Sequence, residues 1–165
     1  MNSYKVEFNK PLVLGGEIEY IKNAMKLNTL SGDGHYSRSC ESKIEQLTGC
    51  KKSFLVPSCT AALEFSALLA NITPGDEVIL PSFTFVSTAL AFSNFGAKII
   101  FADIDHQTFN MSSQNVKNLI TKKTKAIVAV HYGGACSDID NLRHLADENN
   151  ILLIEDAAQA IGSSY

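Results

Sequence analysis

Short runs of consecutive apolar residues alternate along the chain with longer segments whose apolar positions recur at helical spacing. The runs lie at residues 53–56, 77–80, Lys98–Ala102, 126–130 and 151–154. They are rich in Val and Ile and apolar on successive positions, so they predict strands covered on both faces, as in a parallel sheet. Helical spacing predicts helices at 60–70, 86–95, 112–121 and 138–149, with two more near 16–27 and 37–47 ahead of the first strand. Asp138 is a candidate N-cap, and Asp147-Glu148-Asn149-Asn150 ends that helix before the next strand. Pro74-Gly75-Asp76 is a turn signal just before a strand. No low-complexity tract, internal repeat or linker interrupts the alternation. Such alternation predicts an α/β fold, a mainly parallel sheet wrapped by helices on both sides.

Open sheets of this kind bind ligands beyond the carboxyl ends of their strands, which directs attention to segments 57–62, 81–87, 131–135 and 155–159. In the first, Ser58, Cys59, Thr60 and Ala61 turn from a strand into a helix. Free amides at a helix start, with the Ser58 and Thr60 hydroxyls, suit a phosphate; an ordinary Ser or Thr N-cap explains the same residues. In the second, Phe83 or Phe85 stands at a strand mouth, fit either to stack on a flat ring or to pack in the core. In the third, His131-Tyr132-Gly133-Gly134-Ala135 allows close backbone approach to a ligand or simply a tight turn, with His131 a hydrogen-bonded structural residue. In the fourth, Glu155 and Asp156 end an apolar strand. A carboxylate buried there needs a partner, and a pyridinium N–H is one. An N-cap or a Mg²⁺ ligand is the other reading.

Composition narrows the classes. Formal net charge is -3 over 165 residues, with acidic and basic residues interspersed, which argues against a nucleic-acid platform. No apolar run reaches the roughly 20 residues of a membrane helix, and the first ten residues carry no secretory h-region. The four cysteines (Cys40, Cys50, Cys59, Cys136) show no C-x-x-C pairing and the four histidines are scattered. These features predict reduced thiols in a cytoplasmic protein with no metal site, no membrane and no nucleic acid as partner.

Taken in order, Ser-Cys-Thr-Ala-Ala-Leu, Pro-Ser-Phe-Thr-Phe-Val-Ser-Thr, Val-His-Tyr-Gly-Gly and Glu-Asp-Ala-Ala-Gln resemble the DegT/DnrJ sugar-nucleotide aminotransferases, built on the aspartate-aminotransferase fold. Phe8-Asn9-Lys10-Pro11 and Ser31-Gly32-Asp33-Gly34 also fit, so the resemblance runs from residue 8 to 165. It implies a three-layer α/β/α domain of fold type I and the cofactor pyridoxal 5'-phosphate. Ser58, Cys59, Thr60 and Ala61 would surround the phosphate, held chiefly by Thr60 and Ala61. Phe85 would stack on the pyridine ring, Asp156 would pair with the ring nitrogen as the catalytic carboxylate, and Gln159 would hydrogen-bond the phenolic oxygen. Ser31, Gly32 and Asp33 would lie near the sugar-nucleotide entrance. The implied partners are a sugar nucleotide, an amino-acid donor (usually glutamate) and a second copy in a homodimer.

Two departures stand out. Leu90 occupies a position where many relatives carry Asn. The Schiff-base lysine of the relatives follows the Asp-Ala-Ala-Gln segment at some distance, whereas the last lysine here is Lys125. The expectation is that residues 1–165 form the N-terminal part of a large cofactor-binding domain, without its remainder or a small C-terminal domain, and are inactive alone. Three alternatives remain: a sugar dehydratase of the same family with histidine in place of that lysine, a dinucleotide-binding oxidoreductase, and a non-catalytic remnant. The second lacks Gly-x-Gly-x-x-Gly after its first strand.

Overall fold

The computed structural model describes residues 10–165, so Phe8 and Asn9 lie outside the described residues. Two compact units form, divided between Leu55 and Val56.

The first unit carries α1 (Glu17–Lys26) and α2 (His35–Thr48), close to the helices expected near 16–27 and 37–47. Neither helix buries a residue. Tyr36 ties them together, donating its hydroxyl proton to Asn23 Oδ1 at 3.0 Å and meeting the Tyr20 ring edge-on at 5.5 Å. Gly49 ends α2 in the left-handed conformation that favours glycine. The expected strand at 53–56 is absent. Its backbone donors are taken by side chains of α2: Ser53 N–H donates to Glu45 Oε1 and Leu55 N–H to Glu41 Oε1, each at 3.0 Å. With those amides committed to carboxylates, the segment joins no strand, and Phe54 and Leu55 remain exposed.

The second unit runs α3 (Cys59–Leu69), β1 (Glu77–Pro81), α4 (Val86–Ser93), β2 (Lys98–Ala102), α5 (Ser113–Lys117), β3 (Thr124–Val130), α6 (Ile139–Asn149) and β4 (Leu152–Asp156). The strands make one parallel sheet in the order β2-β1-β3-β4. Period-two alternation splits its side chains between two cores. Val78, Leu80, Ala126 and Val128 meet Leu63, Ala67 and Phe92 from α3 and α4. Ile79, Ile127 and Ala129 meet Val116, Leu142 and Leu145 from α5 and α6. The α/β/α layering expected from sequence is therefore the fold observed. Burial on both faces is complete in β1 and over the last five residues of β3, and the edge strands β2 and β4 are partly exposed.

Asp138 sits at the N-cap position of α6 but does not cap it. Its carboxylate accepts from the Ser113 hydroxyl at 2.7 Å and Asn141 Nδ2 at 2.7 Å, binding α5 to α6 instead.

Glu77 opens β1 almost fully buried. It accepts from the Thr121 hydroxyl at 2.6 Å and from Lys98 Nζ at 3.4 Å, and these donors, Thr121 first, hold its carboxyl below the usual range. A carboxyl with a lowered folded pKa contributes stability that is complete above its unfolded value, about 4.3, and disappears as pH falls through the folded value. Glu77→Gln is therefore expected to flatten the acid side of the stability curve. Urea unfolding from about pH 6 down to about pH 3 measures this; an unchanged slope would show that the bonds to Thr121 and Lys98 do not bear on stability.

Candidate functional site

The chain crosses from β1 to edge strand β2, then returns past β1 to β3. The helix after β1 covers one face of the sheet and the helix after β3 covers the other. The carboxyl ends of β1 and β3 therefore flank a switch point, where such sheets open a crevice. At the end of the neighbouring strand β4, Cys59 and Ala158 from two of the expected segments and Thr88, just beyond a third, meet around one residue, and the fourth segment is tied to the loop that follows it.

That residue is Asp156, the last of β4 and 6 % exposed. Its two-residue offset from Ile154, which packs in the α3/α4 core, turns its side chain to the same face. Thr88 of α4 donates to Oδ2 at 2.9 Å. The Ala158 amide donates to Oδ1 at 3.2 Å, and the Cys59 thiol lies 3.6 Å from Oδ1. Burial, then the Asp156 charge, push the Cys59 thiol up, which keeps it a donor. Every one of these donors is uncharged, and among the described residues no cation pairs with Asp156. A buried carboxylate without a cationic partner suits a cationic ligand group.

Ser58 caps α3, accepting from Ala61 N–H at 3.1 Å. The cap leaves the amides of Cys59 and Thr60 at the open end of the helix. Phe85 is the N-cap residue of α4 and 72 % exposed, so it is not a core residue. Phe83 instead packs beside Tyr132, ring centroids 4.8 Å apart. Gln159 Oε1 accepts from Gly133 N–H at 2.7 Å. An amide N–H needs an oxygen opposite it, so the Gln159 Nε2 group is the end left to donate elsewhere. Gly133 and Gly134 both have positive φ, and a Cβ on Gly134 would come within 3.0 Å of the Gln159 carbonyl oxygen. Close approach to Gln159 thus favours glycine there.

His131 is structural. Its Nδ1 accepts from Ser137 N–H at 3.1 Å, which leaves the proton on Nε2, facing Glu155 Oε2 at 2.9 Å. Leu90 is half-exposed on α4. In the first unit, Ser31 and Gly32 are exposed, and Asp33 has φ 59° with its Oδ1 and carbonyl oxygen accepting from Arg38. No group of three or more His, Cys, Asp or Glu suited to a metal occurs among the described residues. No helix there is long and apolar enough to cross a membrane. Sequence reasoning missed Thr88 as the partner of Asp156. No local signal marks it: Thr84 precedes α4, and Ser87 and Ser93 are polar positions of the same helix.

In this α/β domain a buried carboxylate without a cationic partner, a helix start and an exposed aromatic stand at strand ends, an arrangement suited to a small molecule. Residues 15–165 match the DegT/DnrJ/EryC1/StrS aminotransferase family, and the chain belongs to it. Among solved structures, an aminotransferase from Psychrobacter cryohalolentis is similar at 31% identity and TM-score 0.90, over 94% of this chain and 40% of that one. 3-Amino-5-hydroxybenzoic acid synthase is similar at 30% identity and TM-score 0.87, over 94% of this chain and 41% of that one. A GDP-4-keto-6-deoxymannose-3-dehydratase with a trapped PLP-glutamate geminal diamine is similar at 25% identity and TM-score 0.79, over 90% of this chain and 40% of that one. The chain thus spans about 40% of the length of these structures.

Proposed function

We propose that residues 1–165 are the N-terminal part of the large domain of a pyridoxal 5'-phosphate enzyme that transfers an amino group, usually from glutamate, to a keto sugar carried on a nucleotide. Asp156 carries the reading: a buried carboxylate at the carboxyl end of β4 with only uncharged donors around it. When bound, the cofactor supplies an electron sink for the carbanion formed at the amino-bearing carbon. Asp156 holds a proton at the ring nitrogen, and Phe85 offers a face for stacking. Gln159 turns its free Nε2–H toward the phenolic oxygen. Ser58, Cys59, Thr60 and Ala61 receive the phosphate at the start of α3, the amides of Cys59 and Thr60 lying open beyond the Ser58 cap.

The segments Gly32-Asp33-Gly34, Pro57-Ser58-Cys59-Thr60-Ala61 and Thr84-Phe85-Val86-Ser87-Thr88-Ala89 resemble the branch acting on dTDP-4-oxo-6-deoxyglucose in enterobacterial common antigen synthesis. That supports a dTDP-4-oxo-6-deoxyhexose substrate bound near Ser31, Gly32 and Asp33, and a cytoplasmic homodimer serving cell-surface polysaccharide assembly.

Pyridoxamine phosphate is the test ligand, because it needs no Schiff-base lysine. Calorimetric titration into this chain is expected to show one site. Phe85→Ala is expected to weaken it by about 0.5–1.5 kcal/mol, a few-fold to about tenfold in Kd. Absence of binding by the unaltered chain would refute the cofactor reading. A second reading, a sugar dehydratase of the same family, draws support from the dehydratase neighbour. The residue at the Schiff-base position of the longer protein separates the two: lysine for transfer, histidine for dehydration.

A further inference from the structure

Thr88 is 1 % exposed in the α3/α4 layer of the second unit, where a buried hydroxyl needs a partner to offset its desolvation. A threonine inside a helix commonly returns its proton to the carbonyl four residues back. Thr88 instead reaches Asp156 Oδ2, 68 residues away in sequence, at 2.9 Å. Thr84 Oγ1 lies 2.9 Å from Thr88 Oγ1.

Proton counting gives the pair a direction. An ionised carboxylate only accepts, so the single hydroxyl proton of Thr88 goes to Asp156. Thr88 then has only lone pairs to offer Thr84, and Thr84 must be the donor. The order is Thr84 O–H to Thr88 O–H to Asp156 Oδ2. Serial donation of this kind polarises each bond in turn. The other carboxylate oxygen is held from the opposite side by the Ala158 amide and the Cys59 thiol. With both oxygens tethered, the carboxylate plane cannot rotate freely. Valine matches threonine in shape without burying a hydroxyl, so packing alone does not call for Thr88.

We propose that Thr84 and Thr88 form a directional hydroxyl relay that fixes the orientation of the Asp156 carboxylate toward the ring nitrogen of the cofactor. Both are positioning residues: they act through Asp156. The inference rests on the cofactor reading above.

The test uses this chain with pyridoxamine phosphate carrying ¹⁵N at the ring nitrogen, read by NMR chemical shift and by titration. The unaltered chain is expected to hold the ring nitrogen protonated. Thr88→Val is expected to bind about tenfold more weakly and to move the ring-nitrogen signal toward the unprotonated position. Thr88→Ser, which keeps the hydroxyl, is expected to restore both. Thr84→Val leaves the Thr88–Asp156 contact in place and is expected to give a smaller shift in the same direction. It also serves as the deciding variant if Thr88→Val does not fold. A purely structural role would lower melting temperature and leave the nitrogen signal in place. Binding by the unaltered chain with the same ring-nitrogen signal in the folded Thr88 and Thr84 variants overturns the relay alone. No binding by the unaltered chain overturns the cofactor reading and the relay together.

Discussion

Asp156→Asn is expected to lower transamination by roughly a thousandfold in the catalytically complete enzyme, the scale seen when one preorganised electrostatic contact to a developing charge is removed. Asparagine matches aspartate in shape, so the change isolates charge from packing. Its Oδ1 can still accept from the Ala158 amide and the Cys59 thiol. Its Nδ2 can donate to Thr88 Oγ1, and the Thr88 hydroxyl proton then turns to Thr84 Oγ1, so the chain of bonds reverses its direction instead of breaking. The fold, with its two apolar cores, is expected to stand. Activity is lost because a neutral amide cannot hold a proton on the ring nitrogen. Single-turnover rates with glutamate, alongside a thermal melt, separate the effects. Near-normal turnover would remove Asp156 from its assigned role.

The strand ends around which the candidate site lies were legible in the sequence, because strand ends in a parallel sheet are predictable places. The apolar runs that became β1, β2, β3 and β4 located their own carboxyl ends, and Asp156 stood at one of them. The order of the four segments carried the family. What stayed hidden was decided by contacts distant in sequence. Residues 53–56 have the composition of a strand, but Glu41 and Glu45 claimed their amides. The partnership of Thr88 with Asp156 spans 68 residues, and no local pattern encodes it. By residue type alone Phe85 could stack on a ring or pack in the core. Its position as the N-cap residue of α4 leaves it exposed instead. Asp138 had the right residue type for a cap, but Ser113 of the neighbouring helix won its carboxylate. Apolar runs also do not distinguish edge strands from central ones. β2 and β4 read like β1 and β3, yet they are only partly covered.

Those edges lead to the second large effect: this chain is expected to self-associate. An edge strand presents unpaired N–H and C=O groups to any other strand that approaches. β2 carries a charge at its start, Lys98, whose ammonium stays exposed while reaching Glu77. Charged edges of that kind discourage pairing. β4 is less protected. Leu152 is 46 % exposed, Leu153 and Ile154 are half-buried, and the first charge comes only at Glu155. On α3, Phe65, Leu68 and Leu69 are exposed as well. Burial of such apolar surface favours association, and only the surplus over the lost translational and rotational freedom shows as affinity. Sedimentation velocity at tens of micromolar is expected to show species heavier than the 17.9 kDa chain, growing with concentration. Leu152→Lys places a charge on the open edge of β4 and is expected to shift the distribution toward monomer. A single concentration-independent monomer boundary for the unaltered chain would mean that the β4 edge and the α3 face do not attract another copy. Association undiminished by Leu152→Lys would move the contact from the strand edge to the apolar helical surface.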